Sequence, residues 1–282
     1  MLLFLFKTNS FVNLIQNHMA LPDLSKGILL YIILFFNLML YSCHAGVPSD
    51  AIHLQVSIAH TAWDALVKKH VTKEGLVNYK GFIKDKQQLN AYLKTLQSGV
   101  PDPKTWSREE KLAYWINAYN AFTVKLIIDN YPLKSIKDLN SKIAVPTINS
   151  VWDDKFFSLG GVKFSLNMIE HGILRKDFNE PRIHFAINCA SVSCPVLLNE
   201  AFTAAKLEQQ LDRQTRLFIN DPSKNKITAT NPKISSIFNW FGDDFKKNGN
   251  LIDYLNRYAK TKINPNANIS YLEYNWDLND KL

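Results

Sequence analysis

Two cysteines, Cys189 and Cys194, stand in the stretch RIHFAINCASVSCPVL (residues 182–197), with Glu170 and His171 a short way upstream. A thiolate is the reactive form of cysteine. It forms near neutral pH only beside an imidazole, a cation or a cluster of backbone N–H groups. Four readings compete here: a reactive centre, a metal site, a cystine, or packing. The metal reading has Cys189, Cys194 and one histidine but no evident fourth ligand, so no metal is expected. A bridge across the turn suits an oxidising compartment, and Pro195 would stiffen that loop. Buried, inert cysteines are common.

The elements around these residues decide which groups can meet. RIHFAINC reads as a strand, on which side chains alternate faces and advance ~3.3 Å per residue. His184 and Cys189 would then face opposite ways about 16 Å apart. His184 is accordingly expected to be a strand histidine and not a base for Cys189. His171 is better placed. SLNMIEHGILR reads as a short helix opened by Ser165, and a helix returning onto the strand can bring its imidazole to the strand's end. Cys189 lies at that end, where Ala190-Ser191 begins a turn whose amides could serve a thiolate or an oxyanion. Glu170 adjoins His171, but consecutive helical residues diverge by ~100°, so Glu170 could instead pair with Arg175 or Arg182. Asp243 and Asp244 in FNWFGDDF form a carboxylate pair or, more simply, a solvated helix start.

The strongest local pattern is SREEKLAYWINAYNAFTVKLIIDNYP. Ser107 and Glu110 make a capping box, and Pro132 ends the run. The helix is apolar on nearly every face and should be buried, yet Asn117 and Asn120 sit inside it. A buried amide without partners costs roughly 1–3 kcal/mol, so these two anchor a neighbouring loop or line a site. Further helices are expected over residues 51–70, 87–96, 200–221 and 251–259. A hairpin over 155–164 turns on Gly160-Gly161, and ISYLEYNW (269–276) alternates as a strand. Without repeats or low-complexity linkers, residues 46–282 read as a single helix-rich α+β domain with a small, mainly antiparallel sheet.

The N-terminus reads as a leader. Ile28–Leu40 is apolar except Asn37, follows Lys26 and precedes SCHAG, as in a secretory signal cleaved after Ala45. The run is shorter than the ~20 residues of a membrane span. A start at Met19 would give a leader of ordinary length (19–45) and make residues 1–18 a gene-model extension. Alternatively, Leu40-Tyr41-Ser42-Cys43 resembles a bacterial lipobox, which would leave Cys43 lipidated and the protein on a membrane surface. Losing residues 1–45 lowers the net charge from +8 to +7. That surplus suits an exported protein, periplasmic or secreted, facing anionic polymers or lipids. No long basic run or nucleic-acid motif is present, and nothing calls for a cofactor.

AYWINAYNAFTVKLI, YPLKSIKDL, SLNMIEHGILR, PRIHFAINCASVSCPVL, SSIFNWFGDDF and YNWDLND resemble, in order, the successive signatures of the DUF547 family, from about Trp63 to Asp280. The resemblance implies an exported bacterial type and a relation to papain- or transglutaminase-like thiol enzymes with a Glu–His–Cys constellation. By motif, that constellation falls on Glu170 and His171 of IEHGILR and on Cys189 of INCAS. Beside what the motifs imply, turn amides after Cys189 with Asn117 or Asn120 are expected to supply oxyanion donors, and Cys194 and Arg175 to support the site. The expected function is a cysteine-dependent hydrolase or acyl/aminoacyl transferase acting on a peptide or small thiol. The alternative is a non-catalytic binding or scaffolding domain with structural cysteines.

Overall fold

Ser107 accepts a hydrogen bond from the Glu110 amide (3.1 Å), and the Glu110 carboxylate accepts from the Ser107 amide (2.7 Å), so the expected capping box opens the longest helix among the described residues. The computed structural model describes residues 57–142 and 150–281. The expected leader, Cys43 and residues 51–56 of the first expected helix lie outside that range. Residues 54–282 form one compact unit, an α+β arrangement dominated by helix.

The helices α1 (Thr61–His70), α2 (Tyr79–Lys84) and α3 (Lys86–Ser98) lead into α4 (Arg108–Asn130). Buried side chains run from Leu112 to Ile128 on every face of α4, as its lack of a polar stripe predicts. The hairpin follows, β1 (Phe157–Leu159) with β2 (Val162–Phe164), antiparallel with Phe157 opposite Phe164. Its turn places Gly160 and Gly161 at φ +56° and +81°, a conformation glycine adopts without steric penalty.

Ser165 then caps α5 (Leu166–Ile169), accepting from the Met168 amide (3.2 Å). The chain continues through a π-helical turn, Glu170–Leu174, into α6 (Arg175–Asp177). The remaining elements are α7 (Leu207–Ile219), β3 (Lys233–Ser235), α8 (Ile237–Trp240), α9 (Gly242–Lys246), α10 (Leu251–Tyr258) and β4 (Ser270–Leu272). β3 and β4 pair in parallel, so the small sheet content among the described residues is one antiparallel hairpin and one parallel pair. Of the strand expected at 269–276, only Ser270–Leu272 is laddered.

Residues 182–189 are not the expected strand. Pro181 opens a 3₁₀ turn, Pro181–Phe185, and Glu180 accepts from the Arg182 amide (3.3 Å). Proline's fixed φ and missing N–H suit that first position. Ile183, His184, Phe185, Ala186 and Ile187 are all buried. Their alternation therefore does not separate a wet face from a dry one.

This segment crosses between two apolar clusters. Ile183, Ala186 and Ile187 join the larger one around α4, while Phe185 joins a smaller one with Phe218, Phe238 and Phe245. The Phe185 ring lies 5.1 Å from Phe218 and 5.7 Å from both Phe238 and Phe245. Burying one such ring is worth about 1.5–3 kcal/mol, so Phe185 fastens the segment from one side. Asn120 fastens it from the other: its Nδ2 donates to the Ala186 carbonyl (2.9 Å) and its Oδ1 accepts from the Asn188 amide (2.8 Å). Asn117 does the same for Phe202, with bonds of 2.7 and 3.0 Å to its carbonyl and amide.

Candidate functional site

The segment so fastened delivers Cys189 to a cavity of about 170 Å³. Glu170, His171, His184 and Cys194 line it with Cys189, and Trp152, Trp240, Phe241, Tyr274 and Trp276 supply an aromatic wall. The structure thus brings the sequence-predicted Glu170, His171 and Cys189 to one pocket. It also adds His184, which strand parity had set aside. A 3₁₀ turn followed by an irregular stretch removes the alternation on which that parity rested.

Cys189 and Cys194 are disulfide-bonded, with Cα atoms 6.2 Å apart. Cys194 is the buried partner and Cys189 is half-buried. The Cys189 amide (2.9 Å) and the Tyr274 hydroxyl (3.2 Å) both donate to Cys194 Sγ. Ser191 Oγ and the Tyr274 hydroxyl lie 3.3 and 3.4 Å from Cys189 Sγ. Ala190, between them, sits at φ +63°, unusual for a residue with a Cβ. Asn188 imposes it: its Oδ1 accepts from the Ala190 amide (2.8 Å) while its Nδ2 donates to the Pro195 carbonyl (2.7 Å). The turn's amides are mostly engaged in this way. Among the described residues the Ser191 N–H is the one from Cys189 to Cys194 without an acceptor.

The cystine closes a loop of only a few residues, so the chain-entropy contribution is small. Reduction is expected to lower stability by roughly 2 kcal/mol and leave the domain folded. Denaturant melts with and without reductant check this, and outright unfolding on reduction would make the bridge a structural necessity.

Glu170 is 8% exposed and accepts a hydrogen bond from the Tyr119 hydroxyl of α4 (3.3 Å). Burial raises its carboxyl to about 7, against the Tyr119 bond and the nearby Arg175 charge. It pairs with neither arginine named as an alternative. Arg182 binds Glu180 and Glu208. Arg175 Nε donates to Asp244 Oδ2 (2.6 Å), and its Nη1 lies 2.9 Å from His171 Nδ1. Burial and the Arg175 charge both push the His171 pKa down. The π-helical turn matters here because its extra residue per turn changes which side chains share a face.

Asp244 is the hub that the sequence did not reveal. Its Oδ2 also accepts from His184 Nε2 (2.9 Å), and Lys247 Nζ lies 3.4 Å from its Oδ1. Burial alone would raise the Asp244 carboxyl, but the bonds from His184 and Arg175 outweigh it and hold the group well below the usual range. His184 itself is 3% exposed and stacks on Phe241 at 4.0 Å. Burial lowers its pKa, with the Asp244 bond opposing. Asn120 gives its amide to the backbone of the segment that carries Cys189 and so positions it, whereas Asn117 gives its amide to the Phe202 backbone. Among the described residues no group of three His, Cys, Asp or Glu side chains could hold a metal ion, and no helix is long and apolar enough to cross a membrane.

A helix-rich α+β domain with a cystine, a buried carboxyl group and two imidazoles around one small pocket defines a candidate thiol site. Residues 103–219 match the model of the family described as "Protein of unknown function, DUF547", a similarity over part of the chain. The matched stretch holds Glu170, His171, Cys189 and Cys194, whereas Asp244 and Tyr274 fall beyond it. No curated protein and no solved structure matches the chain.

Proposed function

We propose that the pocket is the active site of an exported thiol enzyme, a hydrolase or acyl/aminoacyl transferase, that works once a dithiol reductant has exchanged with the Cys189–Cys194 bridge, freeing both thiols and leaving as its own disulfide. The carrying observation is that the half-buried Cys189 lines the same cavity as Glu170, His171 and His184. The freed Cys189 thiolate attacks a carbonyl carbon, the bond to the leaving group breaks, and a thioester to Cys189 forms. The leaving group takes a proton, and water or an acceptor amine then releases the acyl group. Glu170, neutral up to about pH 7, is the proton donor at hand. The aromatic wall and the size of the cavity suit a side chain of a peptide or a small thiol compound better than a polymer backbone. The leader pattern and the paired cysteines support an oxidising, exported setting.

The test is the rate at which reduced, folded protein is alkylated by iodoacetamide, followed at Cys189 by peptide mass spectrometry. Cys189 is expected to react at pH 6.5 about tenfold faster than the same thiol in unfolded chain, because an activated thiol titrates below the ordinary value near 8.5. The cystine itself favours one competing reading, a non-catalytic binding domain. Slow labelling of the folded, reduced form would establish that reading instead.

A further inference from the structure

Arginine carries five N–H donors, no acceptor, and a charge it does not lose. The 2.9 Å contact from Arg175 Nη1 therefore makes His171 Nδ1 an acceptor, and a neutral His171 must carry its proton on Nε2. Both ring nitrogens are then occupied, and no lone pair is left to take a proton. His184 is the opposite case. Its Nε2 faces the Asp244 carboxylate and must be the donor, which leaves the Nδ1 lone pair. Among the described residues nothing bonds to that Nδ1, and the ring lines the cavity that holds Cys189.

We propose that His184, through Nδ1, is the base for the Cys189 thiol, that Asp244 positions it, and that His171 acts as an Nε2–H donor to the substrate's oxygen. This deepens the thiol-enzyme reading and rests on it. In the reduced protein the proton leaves Cys189 Sγ for His184 Nδ1, directly or through one water. The resulting thiolate attacks while Nε2–H stays on Asp244. His171 then meets the oxyanion as a neutral donor, a role that a histidine beside a fixed cation is suited to fill. The charged and titratable groups facing His184 agree with this division. Asp244, on α9, favours a protonated ring, whereas Arg175 and His171, on the helical stretch opposite, disfavour it. Glu170, across the cavity, is neutral below about pH 7, and Lys247 is engaged with Asp244 Oδ1.

The experiment compares alkylation of Cys189 against pH in the reduced full-length wild type, His184→Gln, His171→Gln and Asp244→Asn. Glutamine retains an N–H at either histidine. His184→Gln is expected to slow labelling at pH 6.5 about tenfold or more by returning the thiol towards its ordinary pKa. His171→Gln is expected to stay within about threefold of wild type. Asp244→Asn should move the midpoint of the labelling profile to higher pH, a change that loss of mere packing would not produce.

A variant-free readout covers the case of a misfolded mutant. On reduction of the wild type at pH 7, long-range ¹H–¹⁵N correlation of the imidazole rings should show His184 gaining a proton at Nδ1 while His171 stays neutral. A fast wild type whose rate survives loss of His184 and falls with loss of His171 overturns this assignment alone, as does a proton gained by His171. A reduced wild type as slow as unfolded chain overturns the thiol-enzyme reading and the assignment with it.

Discussion

Glu170→Gln is expected to stabilise the protein by about 3 kcal/mol at pH 8 and to leave it nearly unchanged at pH 4. The Glu170 carboxyl is buried, and burial raises its pKa from 4.5 to about 7. Below pH 4.5 the folded and unfolded chains both hold the proton, and the group adds no pH dependence. Between pH 4.5 and 7 the unfolded chain releases the proton while the folded chain keeps it, so stability falls as pH rises. Above about 7 the folded state must carry the charge, and the loss levels off. At 1.36 kcal/mol per unit, that shift corresponds to roughly 3 kcal/mol. Glutamine keeps an oxygen for the Tyr119 hydroxyl and never ionises. Urea melts of both proteins at pH 4, 6 and 8 measure the effect, and parallel curves for wild type and variant would show that Glu170 ionises as an ordinary surface carboxyl does.

Asn120→Ala is expected to lose about 2–5 kcal/mol, because it strands two backbone groups at once. The Ala186 carbonyl and the Asn188 amide lie in buried residues, and both bond to this one side chain. A carbonyl or N–H left buried without a partner costs about 1–3 kcal/mol. Asn117→Ala strands the Phe202 carbonyl and amide in the same way and should cost a similar amount. The two variants separate in their second readout. Asn120 holds the segment that carries Cys189, so its loss should also slow alkylation of the reduced protein; Asn117 holds a loop remote from the thiol, and its loss should not. Equal labelling rates in the two variants would mean that Asn120 fastens the fold without setting the sulfur's position.

Much of the helical framework was legible because its signals are local. The Ser107–Glu110 box, the Ser165 cap and the Gly160-Gly161 turn each declare themselves within a few residues. Glu170, His171 and Cys189 were named together because the motifs holding them are chemically distinctive, and all three line one cavity. His184 was misplaced for a definite reason: on a segment buried on all sides, alternation of residue types carries no information about direction. Asp244 was read as a solvated helix start; it does stand in the first turn of α9, but it is buried, and nothing near residue 244 announces its partners at 175 and 184. Of the open readings for the two cysteines, the structure takes the cystine, and its hydroxyl donor comes from Tyr274, far along the chain.

The stretch after β4 has a consequence for how the protein comes into being. Tyr274 reaches the cystine, Asp277 and Asn279 bond to the turn from Ala190 to Val192, and Asn279 also meets Val77 and Tyr79. Trp276 closes the aromatic wall against Trp152 and Trp240. None of these contacts exists while the ribosome is still working towards residue 274. A growing chain therefore carries both cysteines well before it carries their pocket. Whatever oxidises or reduces them in that interval meets two open thiols, and the bridge gains its Tyr274 hydroxyl only when the closing stretch has arrived.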